Sequence, residues 1–479
     1  MTARYHEKYS RYDKMKQKTR RLGSRAAGIV ALMMLTACGA PVEAPPAETD
    51  TDTVMTETTA LSGTTAQTET SVLVTEQTEE TAEATATEAT QTEPVEYDYV
   101  HGDEGYFCLL ENGVEFEFIR QLSGTCWICA ASCAMSTNYS MDSGKSIVFD
   151  QKELVDIIYD DDKEEGIFLK EGIDKDMFGG FARIVINELS RGFGDGLVLD
   201  DAIVADGWSP DEIKEGIKKY GALYIGIPDT DRTKMRYFGK YFTMNFPDAK
   251  EEDFDHSIAV LGWDDNFPKE YFKEQASQDG AWITYNSNFP KDYYYVSYDT
   301  PFEKLYDPPT FLSVSDKYTK ILSYDCGMGL TDPVITGDVT TTANVFKGEG
   351  TLSAVGTFSC ADDEDITIKL LTPDLSECLY SEDHHIDYMG YHVIEFTEPQ
   401  AVDEYAISIS YKRGAPVEGD HSEIEEGMLI FDPVCESGRS FILIDGEWHD
   451  MSEEATAKMC GFVTNNACIK ALYTEGYTE

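Results

Sequence analysis

The sequence of 479 residues predicts an α+β protein, in which a region of mixed helices and strands precedes a region of antiparallel strands. Two observations predict this order. An apolar helix pattern begins at Cys126, and apolar strand patterns follow at 257–263 and 281–285. From about residue 343 onward, short segments alternate apolar and polar residues with period two between turn residues. About eight such strands favour an antiparallel β-sandwich.

The chain begins with the pattern of an export signal, which we assign to residues 1–37. A basic segment precedes an apolar run at 26–36, and small residues flank Cys38. A run of this length is too short to span a bilayer and is typical of a secretory signal. Leu35-Thr-Ala-Cys38 resembles the lipobox of bacterial lipoproteins, which implies that Cys38 is diacylated and becomes the mature N-terminus. The alternative is a plain secretory signal in which Cys38 is incidental.

Residues 38–95 are predicted to form a disordered stalk. Thr, Glu, Ala and Pro dominate this segment, which contains neither Lys nor Arg. Such a composition cannot bury a core, and its negative charges repel one another. The formal net charge of −51 also extends beyond the stalk and argues against nucleic acid or anionic lipid headgroups as partners. We therefore expect contact with the membrane only through the lipid anchor.

Four residues carry the predicted chemistry. Cys126 opens a buried helix, whose positive end stabilises a thiolate. His256 begins an apolar strand and is the base that we expect to hold the thiolate as an ion pair. Asn286 follows the strand pattern at 281–285 and is expected to orient the imidazole ring. Gln121 precedes the nucleophile and is predicted to form an oxyanion hole with the backbone N–H of Cys126.

The order of Cys126, His256 and Asn286, each in its own local pattern, resembles the papain-like family of cysteine proteases. The resemblance covers most of residues 97–296. Further matching segments lie at 151–156, 179–180 and 213–227. The resemblance implies a mainly helical lobe and a β-barrel lobe with the active-site cleft between them. We assign this peptidase domain to residues 96–330.

The chain departs from the family pattern in three places near these residues. The segment between Gln121 and Cys126 is one residue shorter than is usual in the family. An insertion rich in charged and aromatic residues occupies 267–279, between the histidine and the asparagine. Asn288 stands where the family commonly has a tryptophan that shields the bond between histidine and asparagine.

Two groups of residues could be interpreted as metal ligands. The spacing of Cys126, Cys129 and Cys133 is compatible with an iron–sulfur motif, but the helix pattern makes the last two small core residues. His384, His385 and His392 form the second group, but the first two lie in a polar stretch that we interpret as a solvated loop. We therefore expect no metal and no cofactor.

The C-terminal domain is assigned to residues 331–479. Its predicted strands lie at 351–358, 366–371, 391–396, 405–411, 441–448 and 468–473. The segment 441–448 contains an Asp-Gly turn, and His392 is interpreted as a surface position of its strand. Phrases at 343–346, 440–448 and 467–471 resemble the lectin-like domain that follows bacterial papain-like domains. This resemblance implies a fold, and a spacer or a substrate-docking module is as compatible with it as sugar binding.

These features together predict a cysteine endopeptidase, lipid-anchored on the extracellular face of a bacterial cell membrane. Its substrate would be a peptide or protein, and a glycan or another cell-surface ligand is a candidate partner of its C-terminal domain. The alternative is a non-catalytic adhesin with a degenerate papain-like scaffold. The altered segment after Gln121 and the presence of Asn288 favour that alternative, whereas intact Cys126, His256 and Asn286 count against it.

Overall fold

The computed structural model describes residues 99–160, 165–193, 196–229, 234–238, 240–288, 293–304, 307–326, 334–424, 428–461 and 465–478. The predicted signal peptide, the lipidation site at Cys38 and the stalk lie outside these residues. Within the described part of the chain, no helix is both long enough and apolar enough to cross a membrane.

The helices lie mostly in the first half of the described chain. They are α1 (Cys126–Ser143), α2 (Gln151–Ile158), α3 (Lys175–Phe178), α4 (Ala182–Leu189), α5 (Pro210–Tyr220) and α6 (Glu454–Cys460). Short 3-10 helices occur at Leu110–Asn112, Glu251–Asp253 and Lys269–Tyr271.

Strands occur throughout the described chain and dominate its second half. In the first half they are β1 (Tyr106–Cys108), β2 (Gly166–Leu169), β3 (Val198–Val204), β4 (Leu223–Ile227), β5 (Met235–Phe238), β6 (Tyr241–Met244), β7 (His256–Asp264), β8 (Ala281–Tyr285) and β9 (Tyr294–Ser297). The later strands are β10 (Thr310–Ser315), β11 (Lys320–Ser323), β12 (Thr340–Ser359), β13 (Glu364–Leu371), β14 (Cys378–Ile386), β15 (Gly390–Tyr411), β16 (Ser422–Ile424), β17 (Leu429–Asp432), β18 (Ser440–Ile444), β19 (Glu447–Asp450) and β20 (Ile469–Thr478).

Helix α1 is the centre of the first core. Every residue from Cys126 to Ser140 is buried, because the helix is apolar or small on all of its sides. The helix packs against β4, β7 and β10 and against α2 and α4. The sequence-based prediction of a buried helix that begins at Cys126 is confirmed, and its first residue lies where a helix meets a sheet.

A sheet of mostly antiparallel strands packs against this helix, with β6 and β9 as its parallel pair. β7 pairs with β4, β8 and β1, and β9 connects β8 to β6. The predicted insertion at 267–279 packs against this sheet through Phe267, whose ring stacks on Tyr295 and meets Tyr241 and Tyr271 edge-on. Buried aromatic contacts of this kind stabilise the long connection between β7 and β8.

The C-terminal strands are antiparallel and build a second core, as the alternating pattern predicts. β12 pairs along its length with β15, its first half also pairs with β18, and its second half pairs with β20. The segments 391–396 and 405–411, expected as separate strands, belong to the single strand β15. The residues between them stay extended because they lie along β12. The register of the pairing shifts at two bulges in β12. Asp445 and Gly446 form the predicted turn, both with positive φ.

Two sequence-based interpretations in this region are wrong. His384 and His385 lie in strand β14, not in a loop, because β14 pairs with β13 and its residues alternate in exposure. His392 is buried, not a surface position, and its Nδ1 lies 2.9 Å from the carboxylate of Asp201 in β3. The local sequence pattern does not distinguish a polar residue in an edge strand from one in a loop. It also does not distinguish a polar residue buried between two strands from one on the surface.

Backbone pairing joins the two halves of the chain in two places. β3 pairs with β10 and with the first residues of β15, and β2 pairs with β17. Gly390 opens β15 with a φ of +141°, and a Cβ there would lie 1.8 Å from the carbonyl oxygen of Ala202. Only glycine permits this approach of the two strands.

Candidate active site

The nucleophile predicted from the sequence is held by the loop that precedes α1. Thr125 occupies the N-cap position but does not cap the helix with its side chain. Its hydroxyl instead donates to Gln151 Oε1 (2.8 Å) and accepts from the N–H of Leu122 (3.2 Å). Gln151 also donates to the carbonyl oxygen of Arg120 (2.9 Å). These bonds fix the loop at the positive end of the helix, where Cys126 is 5% exposed.

Two glycines allow the backbone to pack closely around the first turn of α1. Gly124 donates its N–H to the carbonyl oxygen of Asp176 (2.9 Å), and a Cβ on Gly124 would lie 2.6 Å from the backbone of Met177. A Cβ on Gly180 would lie 2.6 Å from the indole of Trp127, the residue after the nucleophile. Because neither glycine has a side chain, the backbone can pack closely against the first turn of α1, and this packing orients Cys126.

His256 and Asn286 are brought together by strand pairing. His256 is the first residue of β7, and Asn286 follows the last residue of the neighbouring strand β8. Both side chains are buried, and His256 Nε2 lies 3.0 Å from Asn286 Oδ1. The Cys126 side chain also acts on His256 and raises the pKa of its ring. Since Nε2 is engaged by the amide, Nδ1 is the ring nitrogen left for the sulfur.

Burial and charge act in opposite directions on His256. Burial disfavours the imidazolium and lowers its pKa, whereas the Asp229 carboxylate and the Cys126 side chain raise it. The charges outweigh burial and raise the pKa of His256 to about 10. The site therefore favours a protonated His256 beside Cys126 at neutral pH, which is the arrangement that a thiolate–imidazolium pair requires.

The other two cysteines of the first turns of α1 are buried without such a partner base. Cys129 and Cys133 are both 0% exposed. Burial raises the pKa of Cys129 to about 12 and raises that of Cys133 as well. These two thiols therefore remain protonated and unreactive at neutral pH. Among the described residues, no group of three or more His, Cys, Asp or Glu could hold a metal ion.

Gln121 lies next to the segment that follows Asn286. Its Oε1 accepts from the hydroxyl of Ser287 (2.8 Å), and its N–H donates to the carbonyl oxygen of Ser287 (3.2 Å). Its Nε2 donates one hydrogen to the carbonyl oxygen of Ser123 (2.6 Å). The Gln121 amide nitrogen carries two hydrogens, and the bond to Ser123 uses one of them. The second hydrogen can therefore be donated to an oxyanion. The oxyanion role of Gln121 stays a prediction.

Two polar side chains at the site were not assigned a role from the sequence. Asp229 lies two residues after β4, and its Oδ2 is 3.9 Å from His256 Nε2. Asn288, which the sequence indicated only as a departure from the family, donates from Nδ2 to Asp229 Oδ2 (2.8 Å). The end of β4 pairs with the start of β7 through Ile227 and His256. That antiparallel pairing is the signal that could have placed Asp229 near the histidine.

A buried carboxyl group, which no sequence pattern indicated, links the elements beneath the site. Asp307 accepts hydrogen bonds from the N–H of Ala182 (2.7 Å) and from the hydroxyls of Tyr224 (2.8 Å) and Ser257 (3.0 Å). Burial raises the pKa of Asp307 to about 7, although these donors lower it. The carboxyl group thereby ties the start of α4 to β4 and β7, next to His256.

Comparison with known proteins identifies the C-terminal part of the chain and the fold of most of its length. Residues 321–474 match the family model of the lectin-like domain. No curated protein is significantly similar to the chain in sequence.

Two solved structures share the fold over most of the described chain. One is the clostridial cysteine protease Cwp84 after propeptide cleavage, at 17% identity and a TM-score of 0.62, over 77% of this chain and 98% of that chain. The other contains the cysteine protease and lectin-like domains of Cwp84, a surface-layer-associated protein of Clostridium difficile, at 16% identity and a TM-score of 0.62, over 78% of this chain and 90% of that one. The chain thus has the fold of a cysteine protease joined to a lectin-like domain.

Proposed function

We propose that this chain is a papain-like cysteine endopeptidase that hydrolyses peptide bonds through Cys126, His256 and Asn286. The observation that carries the proposal is the arrangement around His256. One ring nitrogen lies 3.0 Å from Asn286 Oδ1, and Cys126, the first residue of α1, acts on the same ring and raises its pKa. A base that is oriented by an amide and paired with a thiol at a helix N-terminus can activate that thiol as a nucleophile.

The reaction follows from the roles of these groups. The Cys126 thiolate would attack the peptide carbonyl carbon, and the negative charge that develops on the oxygen would be stabilised by the backbone N–H of Cys126 and by Gln121. His256 would then give its proton to the leaving amine, which leaves a thioester on the cysteine. The neutral imidazole would next take a proton from water, and the resulting attack would release the acid product and restore the ion pair.

The proposed place of action is the cell surface. The lipobox-like segment that ends at Cys38 and the acidic stalk after it support a lipid anchor and a spacer. The lectin-like domain at 321–474 supports a role in binding a glycan or another surface ligand close to the substrate. Metabolic labelling with a fatty acid should tag the wild-type protein and fail to tag Cys38→Ser. Label retained in that variant would contradict the anchor.

The peptidase proposal is tested by covalent labelling with a thiol-directed, peptide-like inhibitor, followed by mapping of the modified residue. We expect rapid modification of Cys126 and slow modification of Cys378, an exposed cysteine on β14 that serves as an internal reference. Modification of both at the same slow rate would contradict an activated nucleophile.

A double-mutant comparison separates catalysis from binding alone. Cys126→Ala and His256→Ala should each remove nearly all hydrolysis of a mixed peptide library, and the double variant should be little worse than either one. Circular dichroism would verify that the variants fold. If the wild-type protein neither cleaves peptides nor reacts at Cys126, the non-catalytic adhesin replaces the peptidase as the better interpretation.

A further inference from the structure

Asp229 has a fixed position beside the histidine. Its backbone N–H donates to the carboxylate of Asp255, the residue before His256, at 2.7 Å. Its Oδ2 accepts from Asn288 Nδ2 at 2.8 Å and lies 3.9 Å from His256 Nε2. The side chain of Asp229 is 13% exposed and that of His256 is 2% exposed, so water screens this pair only partly.

We propose that Asp229 is a charged positioning residue of this site, whose carboxylate keeps His256 protonated while Cys126 is a thiolate. The inference rests on the proposed function, because it concerns the histidine that would serve that reaction. Asp229 acts through His256 in this role.

The physical need for such a carboxylate follows from burial. Desolvation by burial disfavours the imidazolium, and the amide of Asn286 offers only a neutral dipole in compensation. A full negative charge less than 4 Å from the ring edge offers much more than a dipole does. Without that charge, the His256 proton would be lost at a lower pH, and the ion pair with Cys126 would persist over a narrower pH range.

Asn288 gives the carboxylate its orientation. Its Nδ2 donates to Asp229 Oδ2, and the same nitrogen lies 3.4 Å from His256 Nε2. When Nε2 donates its hydrogen to Asn286 Oδ1, these two nitrogens are both donors, so their contact is one of packing only. Asn288 also donates its backbone N–H to Asn286 Oδ1 at 3.0 Å. Through its side-chain bond, Asn288 therefore holds the Asp229 carboxylate beside the His256 ring.

The ionisable groups around His256 come from several elements. Asp229, from the segment after β4, and Cys126, from α1, exert the largest charge effects on the ring. Asp255 precedes the histidine and binds the backbone of Asp229. Asp307 accepts from Ser257, on the strand that begins with His256. Removal of Asp229 alone thus leaves the other groups in place and isolates its contribution.

The test compares the reaction of two alkylating reagents with Cys126, in the wild-type chain and in the Asp229→Asn variant. Iodoacetamide is neutral and reports the thiolate of Cys126, whereas iodoacetate is an anion and is also attracted by the imidazolium. The ratio of the iodoacetate rate to the iodoacetamide rate at Cys126 therefore falls at the pH at which His256 loses its proton. In wild type we expect this fall at alkaline pH, and in Asp229→Asn it should occur about 1 to 3 pH units lower. Salt of at least about 0.15 M would screen the general charge of the protein.

Three further variants serve as controls. Asp229→Glu retains the charge and should restore the wild-type midpoint, whereas Asp229→Ser removes it again and should behave like Asp229→Asn. Asp299→Asn removes a carboxylate whose partner is the hydroxyl of Ser277, at 2.7 Å, and should leave the midpoint unchanged. Thermal unfolding would verify that each variant is folded at the pH values used.

The outcomes separate the two proposals. If wild-type Cys126 reacts no faster than the exposed Cys378 and the ratio has no midpoint, the ion pair is absent and the proposed function fails. If wild type has a midpoint and both Asp229→Asn and Asp229→Ser keep it, the peptidase proposal stands and the role of Asp229 is refuted. A lower midpoint in both variants that Asp229→Glu reverses supports the charge of Asp229 as the cause.

Discussion

Replacement of Asn286 by alanine tests how much the orientation of His256 contributes to turnover. The amide is 1% exposed, and its Oδ1 lies 3.0 Å from His256 Nε2. A hydrogen bond to a charged group contributes about 1.5 to 3 kcal/mol. If this bond is lost where it stabilises the reacting imidazolium, kcat should fall by about 10- to 150-fold, because each 1.4 kcal/mol is a factor of about ten. Residual activity is expected, since water can enter the space and bind the ring.

The assay is hydrolysis of a peptide substrate, with kcat and KM determined separately. Asn245→Ala is the matched control, because Asn245 is also 1% exposed and donates to the carbonyl oxygen of Glu274 (2.8 Å) rather than to the site. Both variants should unfold more easily than wild type, but only Asn286→Ala should lose turnover. Wild-type kcat in Asn286→Ala, or an equal loss in Asn245→Ala, would refute the orienting role.

Three further predictions concern two buried ionisable groups and one glycine that packs against the core. Lys470→Met leaves Asp325 buried without its ion-pair partner, both being 0% exposed, and should lower the free energy of unfolding in urea by about 3 to 5 kcal/mol. Burial raises the pKa of Asp307 to about 7, so the stability that this group contributes is complete below about pH 4 and is lost as pH rises through 7. Asp307→Asn should therefore flatten the decline of the urea midpoint between pH 4 and pH 7, and an unchanged slope would contradict this assignment. Gly180→Ala forces a Cβ to within 2.6 Å of the Trp127 indole and should cost about 1 to 3 kcal/mol of stability, with reduced turnover.

Local sequence patterns determined the elements that carry the predicted reaction. An unbroken apolar and small pattern required a buried helix at Cys126, whichever fold surrounded it. The apolar runs before Asn286 and after His256 likewise required buried strands, and both strands are present. Such patterns depend on the periodicity of the backbone and on apolar burial, which neighbouring residues are sufficient to specify.

Local patterns could not determine how distant strands pair. β15 continues through a segment that contains Pro399 because β12 lies beside it, and β14 includes His384 and His385 because β13 offers a partner edge. His392 is buried because β15 meets β3, almost two hundred residues earlier in the chain. Each of these outcomes depends on a strand far away in sequence, so no local window contains the information.

The same limit applies to the environment of the site. The sequence indicated the order of Cys126, His256 and Asn286, but it did not indicate Asp229, whose charge raises the pKa of His256, or Asp307, which binds the neighbouring Ser257. Asp229 faces the histidine because β4 ends where β7 begins, and Asp307 lies beneath it because its three donors come from three separate elements. Residue type and spacing indicate which groups can react. Only the tertiary structure decides which charges lie within a few ångströms of them, because electrostatic effects depend on distance in space and on burial.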